Sequence, residues 1–237
     1  MKTLYKKGHS LAIIFDLDDT LIDTFSLLIK PLERLAAKAM IENGCDTIDI
    51  ESMTRLLLDL RRKKPDSIPQ ETAIRLKSDF QRGLEARDNV LSVVPVADLS
   101  ISPEVLRLLE DLRKFHRLYL ITEGSPSLQN AKIDKVEIRS FFEEVLIVDK
   151  DLEEEKEEKI ANLLRRLNIN PQNAVIVGNR LDKEIIAGNK LKIPTIWVIH
   201  GEGSEIRPGK NTGKADKVVQ SVLELRKFLI PNIVRPL

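Results

Sequence analysis

Apolar positions follow two rhythms along this chain. Ala12-Ile13-Ile14-Phe15 is a short apolar run that ends in Asp16-Leu17-Asp18-Asp19-Thr20. A run of this kind, bounded by polar residues, predicts a buried strand. From Thr20 the spacing changes to three and four. Leu28, Leu32, Leu35, Ala36, Ala39 and Met40 predict one helix, closed by Asn43-Gly44. Met53, Leu56, Leu57 and Leu60 predict a second, stopped at Pro65, and Ala73, Leu76, Phe80 and Leu84 a third. Residues 23–98 therefore read as all-helical.

From Ser102-Pro103, a helix start, strand-like runs and helical stretches alternate. Strands are predicted at Leu118–Ile121, Val145–Val148, Ala174–Val177 and Thr195–Ile199. Helices are predicted over Val105–Leu112, Leu128–Ile138, Ile160–Leu167 and Asp182–Lys190, with a last one over Val218–Leu229. Such alternation implies a parallel sheet with right-handed crossovers. The predicted fold is α/β: a Rossmann-like, doubly wound parallel core of residues 1–22 and 99–237, interrupted by a helical insert at 23–98. The insert is expected over the carboxyl edge of the sheet, where the first strand ends.

Composition narrows the function. The chain has 237 residues, enough for one domain with an insert, and a formal net charge of +1, so charge gives no argument for nucleic acid. An aromatic content of 4 % also argues against base-stacking surfaces. Cys45 is the single cysteine, which excludes an intrachain disulfide and fits a reducing compartment. It is read as a small, half-buried loop residue. The run Leu11–Phe15 is too short for a signal segment, and no run nears the roughly 18 apolar residues of a membrane span. A cytoplasmic protein with neither a nucleic-acid nor a membrane partner is expected.

The chemistry sits at the strand ends. In an extended chain positions i and i+2 face the same way, so Asp16 and Asp18 point together into the crevice at the end of the first strand, and Leu17 packs back. Paired carboxylates are tolerable when a cation bridges them or when one carries a proton; the plainer reading is an Asp-rich turn. Thr122-Glu123-Gly124-Ser125 offers a hydroxyl and glycine-flanked amides to a phosphoryl oxygen, or else an ordinary turn capped by Ser125. Lys150, Lys156 and Lys159 follow the third strand, where a transferring phosphoryl group needs a fixed positive charge. Gly178-Asn179 and Glu184 follow the fourth and offer hard oxygen ligands suited to Mg²⁺.

Phe-Asp-Leu-Asp-Asp-Thr-Leu at 15–21 and the ordered strand-end motifs resemble those of the haloacid dehalogenase superfamily, over residues 11–22 and roughly 103–200. The resemblance implies a helical cap between the first and second motifs. It implies Asp16 as a nucleophile that forms an aspartyl-phosphate, and Asp18 as general acid and then base. It implies Mg²⁺ held by Asp16, the Asp18 carbonyl, Asn179 and Glu184. Thr122 and Lys156 complete the catalytic set, while Thr20, Gly124 and Lys150 are assigned to substrate; Lys150 is the alternative third-motif lysine. An acid at position 18 favours phosphate esters over carbon–halogen bonds.

Two features depart from the family pattern. Gly178-Asn179 stands where Gly-Asp is usual, and Glu184 is one methylene longer than the usual Asp. The expected function is a Mg²⁺-dependent phosphatase acting on a small phosphorylated metabolite. The competing readings are a phosphomutase and a weakened binding or regulatory member, the latter motivated by Asn179 and Glu123. Arg55, Arg61, Arg62 and Lys63 are read as a solvated helix end that an anionic substrate could also meet.

Overall fold

The computed structural model describes residues 10–45, 48–63, 82–83, 85–86, 88–89, 96–149, 152 and 154–230. The predicted helix through Ala73, Leu76, Phe80 and Leu84, the side chains of Arg61, Arg62 and Lys63, and Lys150 lie outside the described residues. The chain divides into two compact units: Met1–Asp23 with Leu99–Leu237, and Thr24–Asp98.

The larger unit is built on six parallel strands, β1 (Ala12–Phe15), β2 (Arg117–Glu123), β3 (Glu144–Val148), β4 (Ala174–Gly178), β5 (Thr195–Val198) and β6 (Lys217–Val219), in the order β3-β2-β1-β4-β5-β6. The order reverses between β1 and β4, the topological switch point where open α/β sheets place their ligands. The two strands are in register, Phe15 opposite Val177, and the Asp16 amide donates to the Val177 carbonyl at 2.9 Å. All four residues of β1 are buried, as a central strand covered on both faces requires.

Four helices follow the strands or precede them: α3 (Pro103–Arg113), α4 (Pro126–Lys135), α5 (Lys156–Arg166) and α6 (Ile186–Leu191); the short α7 (Arg226–Leu229) comes last. On one face of the sheet Ile14, Tyr119, Ile121 and Ile176 pack with Ile160, Leu163 and Leu164 of α5. Ser102 caps α3 by accepting from the Val105 amide at 3.2 Å, with Pro103 at the first helical position. Gly188 lets α6 lie against the sheet: a Cβ there would stand 2.3 Å from Thr195 Cγ2.

In the smaller unit a π-helical turn, Phe25–Ile29, leads into α1 (Lys30–Glu42), and α2 (Ile50–Lys63) follows. Ala36, Ala37 and Met40 pack with Met53, Leu57 and Leu60. Gly44, at φ 111°, makes the turn out of α1. Among the described residues no helix is long and apolar enough to cross a membrane.

Two expectations need correction. Val218–Leu229 is not one helix: Lys217–Val219 pairs with β5 as a sixth strand, and a 3₁₀ turn, Val222–Leu225, precedes α7. Val222, Leu225 and Leu229, all buried, mimic helical spacing across that break. Cys45 is fully buried, not half-buried, because it fills the α1–α2 core.

Candidate active site

The chain leaves β1 through a tight turn around Leu17. The Leu17 carbonyl accepts from the amides of Thr20, Leu21 and Ile22 at 3.0–3.3 Å, and Leu17 itself is buried. Asp19 takes up a left-handed conformation, φ 57°, and its carboxylate accepts from the Glu202 amide at 3.1 Å. This folding leaves Asp16 buried, while Asp18 is partly exposed.

Asp16, Lys156 and Glu184 come together. Lys156, the first residue of α5, places its ammonium 2.7 Å from Asp16 Oδ1 and also donates to Glu184 Oε1. The other Asp16 oxygen accepts from the Thr20 hydroxyl at 3.2 Å. The second oxygen of Glu184 accepts from the Arg180 amide at 2.9 Å, which fixes the chain after β4. All three charged groups are buried. Burial pulls the Lys156 ammonium down, but the two carboxylates outweigh it and lift it above its ordinary range. Burial pushes Asp16 up to about 7 against the pull of Lys156, with Glu184 and Asp18 adding to the rise. Two buried carboxylates thus share one ammonium, an excess of negative charge that suits a cation with hard oxygen ligands.

Asp16 and Glu184 offer such oxygens, and Asn179, the residue after β4, stands at the neighbouring strand end. Asn179 is buried, its Nδ2 donates to the His200 carbonyl at 3.3 Å, and its own carbonyl accepts from Trp197 Nε1 at 2.8 Å. As an amide it brings an oxygen but no charge.

At the end of β2 the buried Thr122 hydroxyl donates to Gln129 Oε1 at 3.1 Å. The Gly124 amide, expected to face a phosphoryl oxygen, instead donates to the Val148 carbonyl at 3.0 Å and extends the sheet. Thr20, assigned to substrate, has its hydroxyl on Asp16. Lys159 turns to the Ile147 carbonyl and to Glu154, both at 2.7 Å, so of the described lysines after β3 it is Lys156 that reaches Asp16. Glu123 pairs with Lys183 at 2.6 Å, and Asp182 with Arg180 through two bonds at 2.7 and 2.8 Å.

Several neighbours escaped the sequence reading. Gln129 and Lys132 of α4 both reach the Asp18 carboxylate, at 3.3 and 2.9 Å. Their three-residue spacing was the only signal available, and it is shared by any helix surface. Asp19, Asp23 and His200 bring one potential metal-ligand atom each to within 4.8 Å of one another; His200 lies far away in sequence, at the end of β5, so spacing could not have linked them.

The chain belongs to the haloacid dehalogenase-like hydrolases, whose family model matches residues 13–198. It is 31 % identical over 200 residues to the glyceraldehyde 3-phosphate phosphatase of Pyrococcus abyssi, covering 80 % of this chain and 82 % of that protein. It is 28 % identical over 239 residues to the N-acylneuraminate-9-phosphatase of Homo sapiens, covering 92 % and 93 %. Among solved structures, the magnesium-bound HAD-hydrolase YfnB of Bacillus subtilis superposes with a TM-score of 0.65 at 18 % identity, covering 95 % of this chain and 100 % of that one. At that identity the likeness concerns the fold.

Proposed function

We infer that this phosphoric monoester hydrolase cleaves a small phosphorylated metabolite through an aspartyl-phosphate on Asp16, with Mg²⁺ as cofactor. The observation that carries the reading is the buried grouping of Asp16, Lys156 and Glu184 at the switch point, with Asp18 two residues on.

Asp16 Oδ is the attacking atom. Its bond to phosphorus forms as the bond from phosphorus to the leaving oxygen breaks, and Asp18 gives that oxygen its proton. In the second half a water oxygen bonds to phosphorus, the Asp16–phosphorus bond breaks, and the water proton passes to Asp18. Lys156 keeps Asp16 in place and offsets its charge, so that an anionic substrate can approach. Thr122 offers a hydroxyl to a phosphoryl oxygen. Mg²⁺, held by Asp16, the Asp18 carbonyl, Asn179 and Glu184, would supply further charge neutralisation for nucleophile and phosphoryl group. In the same reading the inserted unit, Thr24–Asp98, is the cap that selects the substrate.

Relatives named for a triose phosphate and for a sugar-acid phosphate direct the first substrate panel to small phosphorylated aldehydes and sugar acids. The test is phosphate release from that panel and from an aryl phosphate, with and without Mg²⁺, for the wild type and Asp16→Asn. Metal-requiring release that vanishes in the variant is the expected result. Equal release by the variant would remove Asp16 as nucleophile, and a silent wild type at raised Mg²⁺ would favour a binding role.

A further inference from the structure

Lys132 is 4 % exposed and Gln129 3 %, yet both lie on a helix whose other polar residues face water. A buried lysine needs a partner. Here the partner is the carboxylate of Asp18, 2.9 Å away. Gln129, one helical turn earlier, donates to the other Asp18 oxygen at 3.3 Å and to the Glu123 carbonyl at 3.0 Å, and accepts from Thr122 Oγ1 at 3.1 Å. Each Asp18 oxygen therefore has its own donor, both from one face of α4. Gly124 makes room for this: a Cβ there would stand 2.6 Å from Gln129 Nε2. An apolar pair could close the same helix onto the sheet without desolvating an ammonium, so packing does not explain these residues.

We propose that Lys132 and Gln129 are positioning residues that hold the Asp18 carboxylate in the orientation from which it exchanges protons with the leaving and attacking oxygens. Gln129 ties the same carboxylate to Thr122, so the proton-transfer group and a phosphoryl-contacting hydroxyl are set by one helix. This rests on the aspartyl-phosphate reading above and deepens it.

The test uses 2,4-dinitrophenyl phosphate with Mg²⁺, because dinitrophenolate leaves without a proton. Forming the aspartyl-phosphate then needs no acid, whereas hydrolysing it still needs Asp18 as base. In rapid-mix experiments Lys132→Met should release dinitrophenolate in its first turnover within about threefold of the wild-type rate, while steady-state turnover falls at least about tenfold, within the range usual for a lost general base. Lys132→Arg should recover most of the steady-state rate. Equal loss in both phases from a folded variant, or loss in neither, overturns the proposal. Gln129→Met, which removes the second donor and leaves Lys132, carries the test if Lys132→Met does not fold. A wild type that releases no dinitrophenolate defeats the phosphatase reading itself and the proposal with it.

Discussion

In the proposed function, Glu184 is the residue at which metal affinity and protein stability would be coupled most directly. It is buried, bonded to Lys156 and to the Arg180 amide, and it competes with Asp16 for one ammonium. Glu184→Gln keeps its shape and relieves the repulsion between the two carboxylates, but it turns one of two accepting oxygens into an NH₂ group that meets either the Lys156 ammonium or the Arg180 amide. The metal-free variant should therefore unfold at a lower temperature than the wild type. Its Mg²⁺-induced rise should shrink, because a tenfold weaker site forfeits about 1.4 kcal/mol of binding stabilisation at saturating metal. Thermal denaturation over a Mg²⁺ titration measures both. A Mg²⁺-induced rise as large as that of the wild type would show that Glu184 serves Lys156 and the Arg180 amide and does not hold the metal.

At the scale of elements, the loop after β5 meets the two site-bearing loops with its backbone. Gly201, at φ 57°, leaves no room beside Asp19, since a Cβ would stand 2.1 Å from its Cγ. At Gly203 a Cβ would stand 2.1 Å from the Asn179 carbonyl oxygen, which cannot rotate away as a side chain could. Gly203→Ala should therefore push the chain after β4 outward, lowering stability by about 1–3 kcal/mol, as overpacking does elsewhere, and raising the Mg²⁺ concentration needed for activity. Gly209→Ala is the control, because its Cβ would find nothing nearer than 3.9 Å. Denaturant melts and Mg²⁺ activation curves that do not separate the two variants would refute the argument. The same contrast between near and distant neighbours explains what the sequence revealed. Strands β1, β2 and β4 were legible because a buried parallel strand is apolar on both faces, and their ends marked where to look for Asp16, Thr122 and Asn179. Lys156 could be favoured over Lys150 by counting back from Ile160, Leu163 and Leu164 along one helix. β6 was hidden because Lys217–Val219 has only three residues, with Val219 buried and Val218 exposed. Gln129, Lys132 and His200 were hidden for another reason: their partners lie on other elements, and one sequence carries no record of contacts across the sheet.

The whole larger unit is closed by a histidine remote from the candidate site. His116, just before β2, is buried, with Nδ1 accepting from the Leu11 amide at 3.2 Å and Nε2 2.6 Å from the Leu229 carbonyl. Accepting at one nitrogen and donating at the other requires the neutral ring. It thereby joins the approach to β1, the start of β2 and the last helix, and Arg226 of α7 reinforces the tie by pairing with Asp111 of α3. Burial pushes the imidazole pKa below its usual 6.5, more than the Leu229 carbonyl raises it. The unfolded chain therefore binds the proton more readily than the folded one. The stability contributed by the neutral ring is fully present above about pH 6.5 and is lost as the pH falls through the window between that value and the lower folded pKa. Within this window the slope for one proton is at most about 1.4 kcal/mol per pH unit. The gap between the wild-type and His116→Gln denaturant midpoints should accordingly narrow from pH 7.5 to 5.5; Asp16, raised to about 7, adds stability as the pH falls, but equally in both proteins. His116→Gln, which keeps a donor and an acceptor but cannot titrate, should start lower and approach the wild type over that interval. Parallel curves for the two proteins would mean that the acid sensitivity arises elsewhere, and that His116 holds the ends of the sheet together without setting its pH response.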